Sequence, residues 1–275
     1  MKKIGLGILI GVVGVVFIVS VASALPSVPG IEKAKVQSPA IDNVTGNVVA
    51  PPPDVTPFPQ LSESELTKII FIRYAPGKEP IATCGNSVCE PKENPKNCPS
   101  DCKKGEEEPP TGCYAFLSGA QPKWNWVAGY YYSTSTLESP SASAVLTWEG
   151  VSNIRDIFGN GVLEDYPWGV YDGKNSISFG NYEKNPDVIA VTAIWFRGKN
   201  IYEYDIMFDT DYFPGGIEGS YDLETVALHE FGHGAGLNDL YDSVCSDNVM
   251  YGIYTVEKTT LNDGDIAGIQ ALYGK

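Results

Sequence analysis

The sequence predicts an α+β domain preceded by a small disulfide-rich module, and three observations carry that expectation. After Cys113, segments rich in β-branched and aromatic residues come first, and amphipathic helical patterns dominate toward the C-terminus. Upstream of both, four cysteines crowd between Cys84 and Cys102. A chain of 275 residues suits one sizeable domain with appendages, and 43% apolar with 11% aromatic content excludes a wholly disordered protein. The formal net charge is −15, and residues 113–275 hold most of it, with 8 basic against 22 acidic residues (8 − 22 = −14). Such a surface repels phosphate, so nucleic acid and anionic membrane surfaces are excluded as main partners.

The elements follow in order. Residues 1–24 have Lys2 and Lys3, an apolar run from Ile4, and the small-residue Ala22-Ser23-Ala24, which is the plan of a secretory signal. The run is also long enough to span a bilayer, so a retained N-terminal anchor stands beside cleavage. Either way the remainder is expected outside the cytoplasm, secreted or anchored at the outer face of the membrane. Residues 25–82 read as a proline-rich linker or pro-segment, with a sequon at Asn43 and one strand-like stretch, LTKIIFIRYA, from Leu66 to Ala75. That stretch is expected to dock on the main domain or to belong to a pro-segment. Residues 83–103 form the cysteine-rich module, with Cys84, Cys89, Cys98 and Cys102. It is too short to bury a core, and outside the cytoplasm disulfides are favoured over zinc as its source of order. Residues 104–112 read as a linker.

From Cys113 to Lys275 the chain reads as the main domain. AGYYYSTST, NSISFGN, DVIAVTAIWFRG and NIYEYDIMFDTD are predicted strands, each bounded by turn residues or charge. SASAVLTWEGVSNIRDIF, residues 141–158, has apolar positions closer to a helical period. A second helix opens near Asp222 and ends at Gly234 or Gly236, and a third carries Ile266, Ile269 and Leu272 on one face.

The chain's two histidines both lie in HEFGHGAGLND, four residues apart. On a helix, positions i and i+4 are stacked, so His229 and His233 can present both imidazoles to one ion. Glu230 cannot share that alignment but can reach a water beside the ion, the arrangement of two imidazole ligands with a carboxylate base. A third ligand is expected after a break in the helix, and Gly236 supplies the break. Asp239 follows three residues later, with Asp242 a weaker candidate and Glu257 the candidate under a thermolysin-like scheme.

HEFGHGAGLND resembles the metzincin signature HExxHxxGxxH with aspartate in the last position, and NVMYGIY resembles the methionine turn of matrixins with Gly252 in place of proline. LNDGDIAGIQALYG is similar to the last helix of matrixin catalytic domains. The resemblance spans roughly residues 114–274. It implies a twisted, mostly parallel sheet with an antiparallel edge strand, an active-site helix and a C-terminal helix. It also implies one catalytic zinc held by His229, His233 and Asp239, with Glu230 as general base and Met250 as a structural turn beneath the metal. The implied activity is that of a zinc endopeptidase taking extended protein or peptide substrate along the strand near residues 188–196. Competing expectations are a non-catalytic metal-containing binding module and a zinc hydrolase of cell-wall substrates. Matrixin domains commonly bind calcium, and Asp172, Asp187, Asp205, Asp209 and Asp211 supply hard oxygens for it; a solvated acidic surface is the alternative. The family's pro-segment motif PRCGxPD is absent, TCGNS at Cys84 being a poor match, which puts latency by a cysteine switch in doubt. If the four upstream cysteines pair among themselves, Cys113 and Cys245 remain to pair with each other, one of fifteen possible pairings of six cysteines.

Overall fold

In the computed structural model, residues 61–78, 112–154, 156–183, 187–216, 219 and 221–275 are described. The N-terminal signal or anchor, the sequon and the cysteine-rich module all lie outside these residues. Six strands form one sheet in the order β1-β5-β6-β4-β2-β3. They are β1 (Thr67–Tyr74), β2 (Ala128–Tyr132), β3 (Phe158–Leu163), β4 (Asn175–Gly180), β5 (Val188–Arg197) and β6 (Asn200–Asp209). The helices are α1 (Glu138–Glu149), α2 (Leu223–Gly234) and α3 (Asp263–Tyr273). Strands β2, β3, β4 and β6 pair in parallel, whereas β5 runs antiparallel to β6 on one side and to β1 on the other. The result is the mostly parallel, α+β architecture expected of a metzincin-like domain.

Two expectations need correction. The antiparallel strand is not at the sheet edge. β1 pairs with β5 over the whole of Thr67–Tyr74, from Thr67 opposite Phe196 to Tyr74 opposite Val188. The cause is the composition of β5: in VIAVTAIWF every residue is buried, so an open outer edge would expose backbone amides beside apolar side chains. Hence the sheet extends upstream of Cys113, the expected start of the main domain. The helix expected over 141–158 also ends early, at Glu149. Gly150 closes it by donating from its amide to the Leu146 carbonyl. Beyond that cap the apparent period breaks down, since Ile154 is exposed and Phe158 enters β3.

The core lies between the sheet and α1 with α2. Trp148 of α1 is fully buried and donates its indole N–H to the Leu228 carbonyl of α2 at 2.8 Å, tying the two helices. Phe231 of α2 packs edge-on against Tyr130, Phe158 and Tyr204 of three strands. Contacts of this kind, centroids 5.3 to 6.0 Å apart, fix the helix against the sheet beyond what buried area alone would do.

On the opposite face of β6 the acidic residues are buried and engaged with backbone. Glu203 accepts from the amides of Asp172 and Gly173, and Asp205 from those of Gly169 and Ser176. Asp209 accepts from Tyr182 and Asp211. Asp187 instead pairs with Lys78 at 3.3 Å, and Asp172 caps the amide of Lys174. Of the carboxylates read as calcium ligands, Asp205 and Asp209 thus pin loops to β6, and among the described residues the five form no three-ligand group. Burial pushes Glu203 up to about 9 and Asp205 up to about 7, the backbone donors only partly offsetting it. A carboxyl raised on folding stabilises fully below its unfolded value and loses that stabilisation as pH rises through the folded value. Thermal melts from pH 5 to 9 are expected to show a falling Tm, with a clearly flatter slope in Glu203→Gln. An unchanged slope in that variant would mean that Glu203 is already ionised at pH 5.

Candidate metal centre

α2 opens on Asp222, whose side chain accepts from the Thr225 amide at 2.6 Å, and it closes before Gly236 at φ +108°. That left-handed glycine turns the chain back. A side chain there would also strike the Pro122 carbonyl, so glycine is required twice over. The return delivers Asp239 to the paired histidines. His229 Nε2 and His233 Nε2 are 3.1 Å apart, and Asp239 Oδ1 lies 3.2 Å from the first and 3.5 Å from the second.

The opposite ring nitrogens decide what these atoms can do. His229 Nδ1 is 2.8 Å from the Val249 carbonyl and His233 Nδ1 is 3.0 Å from the Leu237 carbonyl. A carbonyl only accepts, so both Nδ1 atoms carry protons and each neutral ring turns a lone pair at Nε2 toward the centre. Asp239 Oδ1 is shielded from solvent and accepts no hydrogen bond. Three buried lone-pair atoms thus face one another, an arrangement that repels unless positive charge sits among them. Either a shared proton or a metal ion satisfies it, and two imidazoles with one carboxylate suit zinc. Electrostatics distinguish the two rings. Burial and Arg73 draw His229 down to about 3, which keeps its lone pair free. Burial also opposes charge on His233, but Asp239 outweighs it and raises that ring. Asp239 is held low by both imidazoles despite its burial.

Glu230 stands beside this centre, fully buried and raised by that burial. Its Oε2 accepts from the Thr192 hydroxyl of β5 at 2.5 Å, while Oε1 has no partner. Asp242, the weaker ligand candidate, caps a short helical turn through the Val244 amide, and Glu257 is exposed.

Residues 164–274 match the peptidase family model described as Matrixin. This domain is matrixin-like. Matrixins are zinc metallopeptidases, and such enzymes act on protein or peptide chains. The match begins after β3, so β1, β2, α1 and β3 rest on the structure alone.

In the matrixin-like domain, Met250 is buried directly under α2. Asp265, at the start of α3, accepts from the amides of Val249 at 2.7 Å and Met250 at 3.1 Å, so the last helix holds the methionine turn in place. The same turn supplies the Val249 carbonyl that orients His229. Cys113 and Cys245 are joined, with Cα atoms 5.4 Å apart, and Asn248 links that bridge to the turn by donating to the Cys245 carbonyl. Closing a loop of this length is worth about 4–5 kcal/mol in the chain-entropy model. Gly252, where matrixins carry proline, lies against the Tyr241 ring, which leaves no room for a Cβ. Tyr241 in turn donates its hydroxyl to Asp239 Oδ2 at 3.0 Å. Tyr241, Thr192 and Asp265 were not foreseen from sequence: Thr192 and Asp265 act through partners on other elements, and Tyr241 through a loop geometry that spacing alone does not reveal.

Gly232, in the middle of the HEFGH turn of α2, gives a sharp test. Alanine in an open helix would gain about 1 kcal/mol over glycine. Here a Cβ would meet Met250 Sδ and the Trp148 ring. Gly232→Ala is therefore expected to lose about 1–3 kcal/mol in urea unfolding, as overpacked cores do. A gain in stability would show that the methionine turn does not press on the helix.

Proposed function

We propose that this protein is a zinc endopeptidase, secreted or held at the outer face of the cell membrane by residues 1–24, with residues 113–275 carrying the catalytic machinery. His229, His233 and Asp239 are its metal ligands and Glu230 its general base. The observation that carries this reading is the convergence of three shielded lone-pair atoms beside a buried carboxylate with one oxygen unpaired. A purely structural metal site has no use for such a carboxylate, which argues against a non-catalytic binding module.

Zinc, when bound, supplies the Lewis acidity that makes water nucleophilic and a carbonyl electrophilic at neutral pH. Glu230 is placed to take a proton from the attacking water at Oε1 and return it to the departing amine. Its raised affinity for protons suits it to that exchange, and Thr192 fixes its other oxygen. His229 and His233 are locked in the tautomer that ligation needs by the Val249 and Leu237 carbonyls. The substrate is held as an extended strand along β5, so backbone hydrogen bonds supply most of its affinity. Asp239 carries a negative charge to the metal that a third imidazole would not, which leaves the nucleophilic water less acidic.

Glu230→Gln is expected to retain zinc near one per chain and to lose several orders of magnitude in peptide hydrolysis. Retention of more than a tenth of wild-type turnover would remove Glu230 from the role of base. Zymography on mixed protein and cell-wall substrates, with and without chelator, separates the peptidase from a hydrolase of cell-wall polymers. Asp239→Ala is expected to lose most bound zinc by metal analysis, whereas Asp242→Ala keeps it. The reverse order would transfer the third ligand to Asp242.

A further inference from the structure

The edge of β5 that a substrate would need is filled by the chain's own β1, and β1 lies there as a bound peptide would. It runs antiparallel to β5, and at its end Tyr74 bridges to Ile253 in parallel. The strand therefore passes between β5 and the segment that follows the methionine turn. Side chains alternate along it, and Ile69, Phe71 and Arg73 face inward, Phe71 reaching the paired histidines. Phe71 stacks on the His233 ring at 3.9 Å and 9°, covering its face while leaving Nε2 in the ring plane free. Phe71 is also paired with Thr192, the residue that holds Glu230.

Arg73, two residues on, is 3% exposed, although arginine is among the residues least often buried. Its Nη1 donates to the Tyr251 carbonyl at 3.3 Å, and the guanidinium lies 5.8 Å from the Tyr254 ring. Its Nε has no hydrogen-bond partner. Burial works against the charge and draws the guanidinium down, and the nearby carboxylates of Glu230 and Asp239 oppose that. The guanidinium thus sits in a buried niche formed by the Tyr251 carbonyl and the Tyr254 ring.

We propose that residues 67–74 are a resident peptide in the substrate cleft, and that the pocket holding Arg73 selects extended peptides with a basic side chain at that position. This rests on the peptidase reading and deepens it, naming both what blocks the cleft and what the cleft prefers. The outer contacts of β1 are of a weaker kind. Lys68 lies over the Trp195 ring at 4.4 Å and donates to the Gly169 carbonyl, while Glu65 pairs with Arg197 on the surface. Exposed pairs contribute little, and although Ile72 and Tyr74 pack on Val188, Val191 and Met207, the two buried residues of β1, Phe71 and Arg73, are its anchors.

The test needs no turnover, so it can fail separately from the assignment of Glu230. Full-length chains carrying Glu230→Gln are compared with and without Phe71→Ala and Arg73→Ala, using a fluorescein-labelled peptide with the sequence of residues 65–76, ELTKIIFIRYAP. Fluorescence anisotropy is expected to show binding at least tenfold tighter to the chain whose own anchors are removed. Replacing the peptide's arginine with glutamate is expected to weaken that binding at least tenfold. Equal binding with and without the anchors would overturn the resident peptide, and equal binding of the two peptides would overturn the basic pocket. No binding to a cooperatively melting variant overturns both. If the doubly substituted chain does not fold, hydrogen exchange on the wild type decides occupancy. Amides of 68–74 are expected to be protected like those of β5, and exchange at unstructured rates beside a protected β5 refutes the proposal.

Discussion

Two imidazole N–H groups that point away from the candidate metal centre set the terms for everything around it. By donating to the carbonyls of Val249 and Leu237, they commit both Nε2 atoms to presenting lone pairs inward. Asp239 Oδ1 adds a third, closed to solvent. Nothing in a protein interior tolerates that cluster without a cation. The carbonyls in question belong to the methionine turn and to the segment after Gly236, so the geometry of the centre depends on where those two loops are held.

Each loop is held from outside the helix. Asp265 grips the methionine turn through two amides, and Lys258 braces the same region by donating to the carbonyls of Ser246 and Asn248. The Cys113–Cys245 bridge fastens the approach to it. On the other side, Tyr241 both fixes Asp239 and fills the space that Gly252 leaves. Below, the absence of a side chain at Gly232 lets Met250 press directly against the helix. A candidate site described only by its three converging atoms would omit most of what positions them.

Much of this was legible in the sequence wherever it was local. α2 announced itself by Asp222 at one end and Gly236 at the other, and the i, i+4 spacing of the histidines needs no tertiary information. The strands were visible in their composition. What stayed hidden depends on distant partners. The pairing of β1 with β5 joins residues more than a hundred positions apart, and no periodicity in LTKIIFIRYA reveals its neighbour. Nothing in the sequence around Arg73 marks it as buried. The buried acids of β6 pose a related difficulty: composition does not distinguish a carboxylate that accepts from loop amides from one that binds calcium. The overlong first helix came from an apolar spacing that happened to continue past Gly150.

The covering of β5 has a further consequence, for solubility. Val188–Arg197 reads VIAVTAIWFR, ten residues with one charge, at the very end, and no proline. Laid open along one side, such a strand is a template on which other chains can add, the hazard that natural sheets avoid with charged, short or covered edges. β1 brings the exposed Lys68 to that side and ends the sheet on a strand preceded by Glu63 and Glu65. Anything that lifts β1 away must therefore replace it promptly with another strand, so that opening the cleft and keeping the protein dispersed become a single problem.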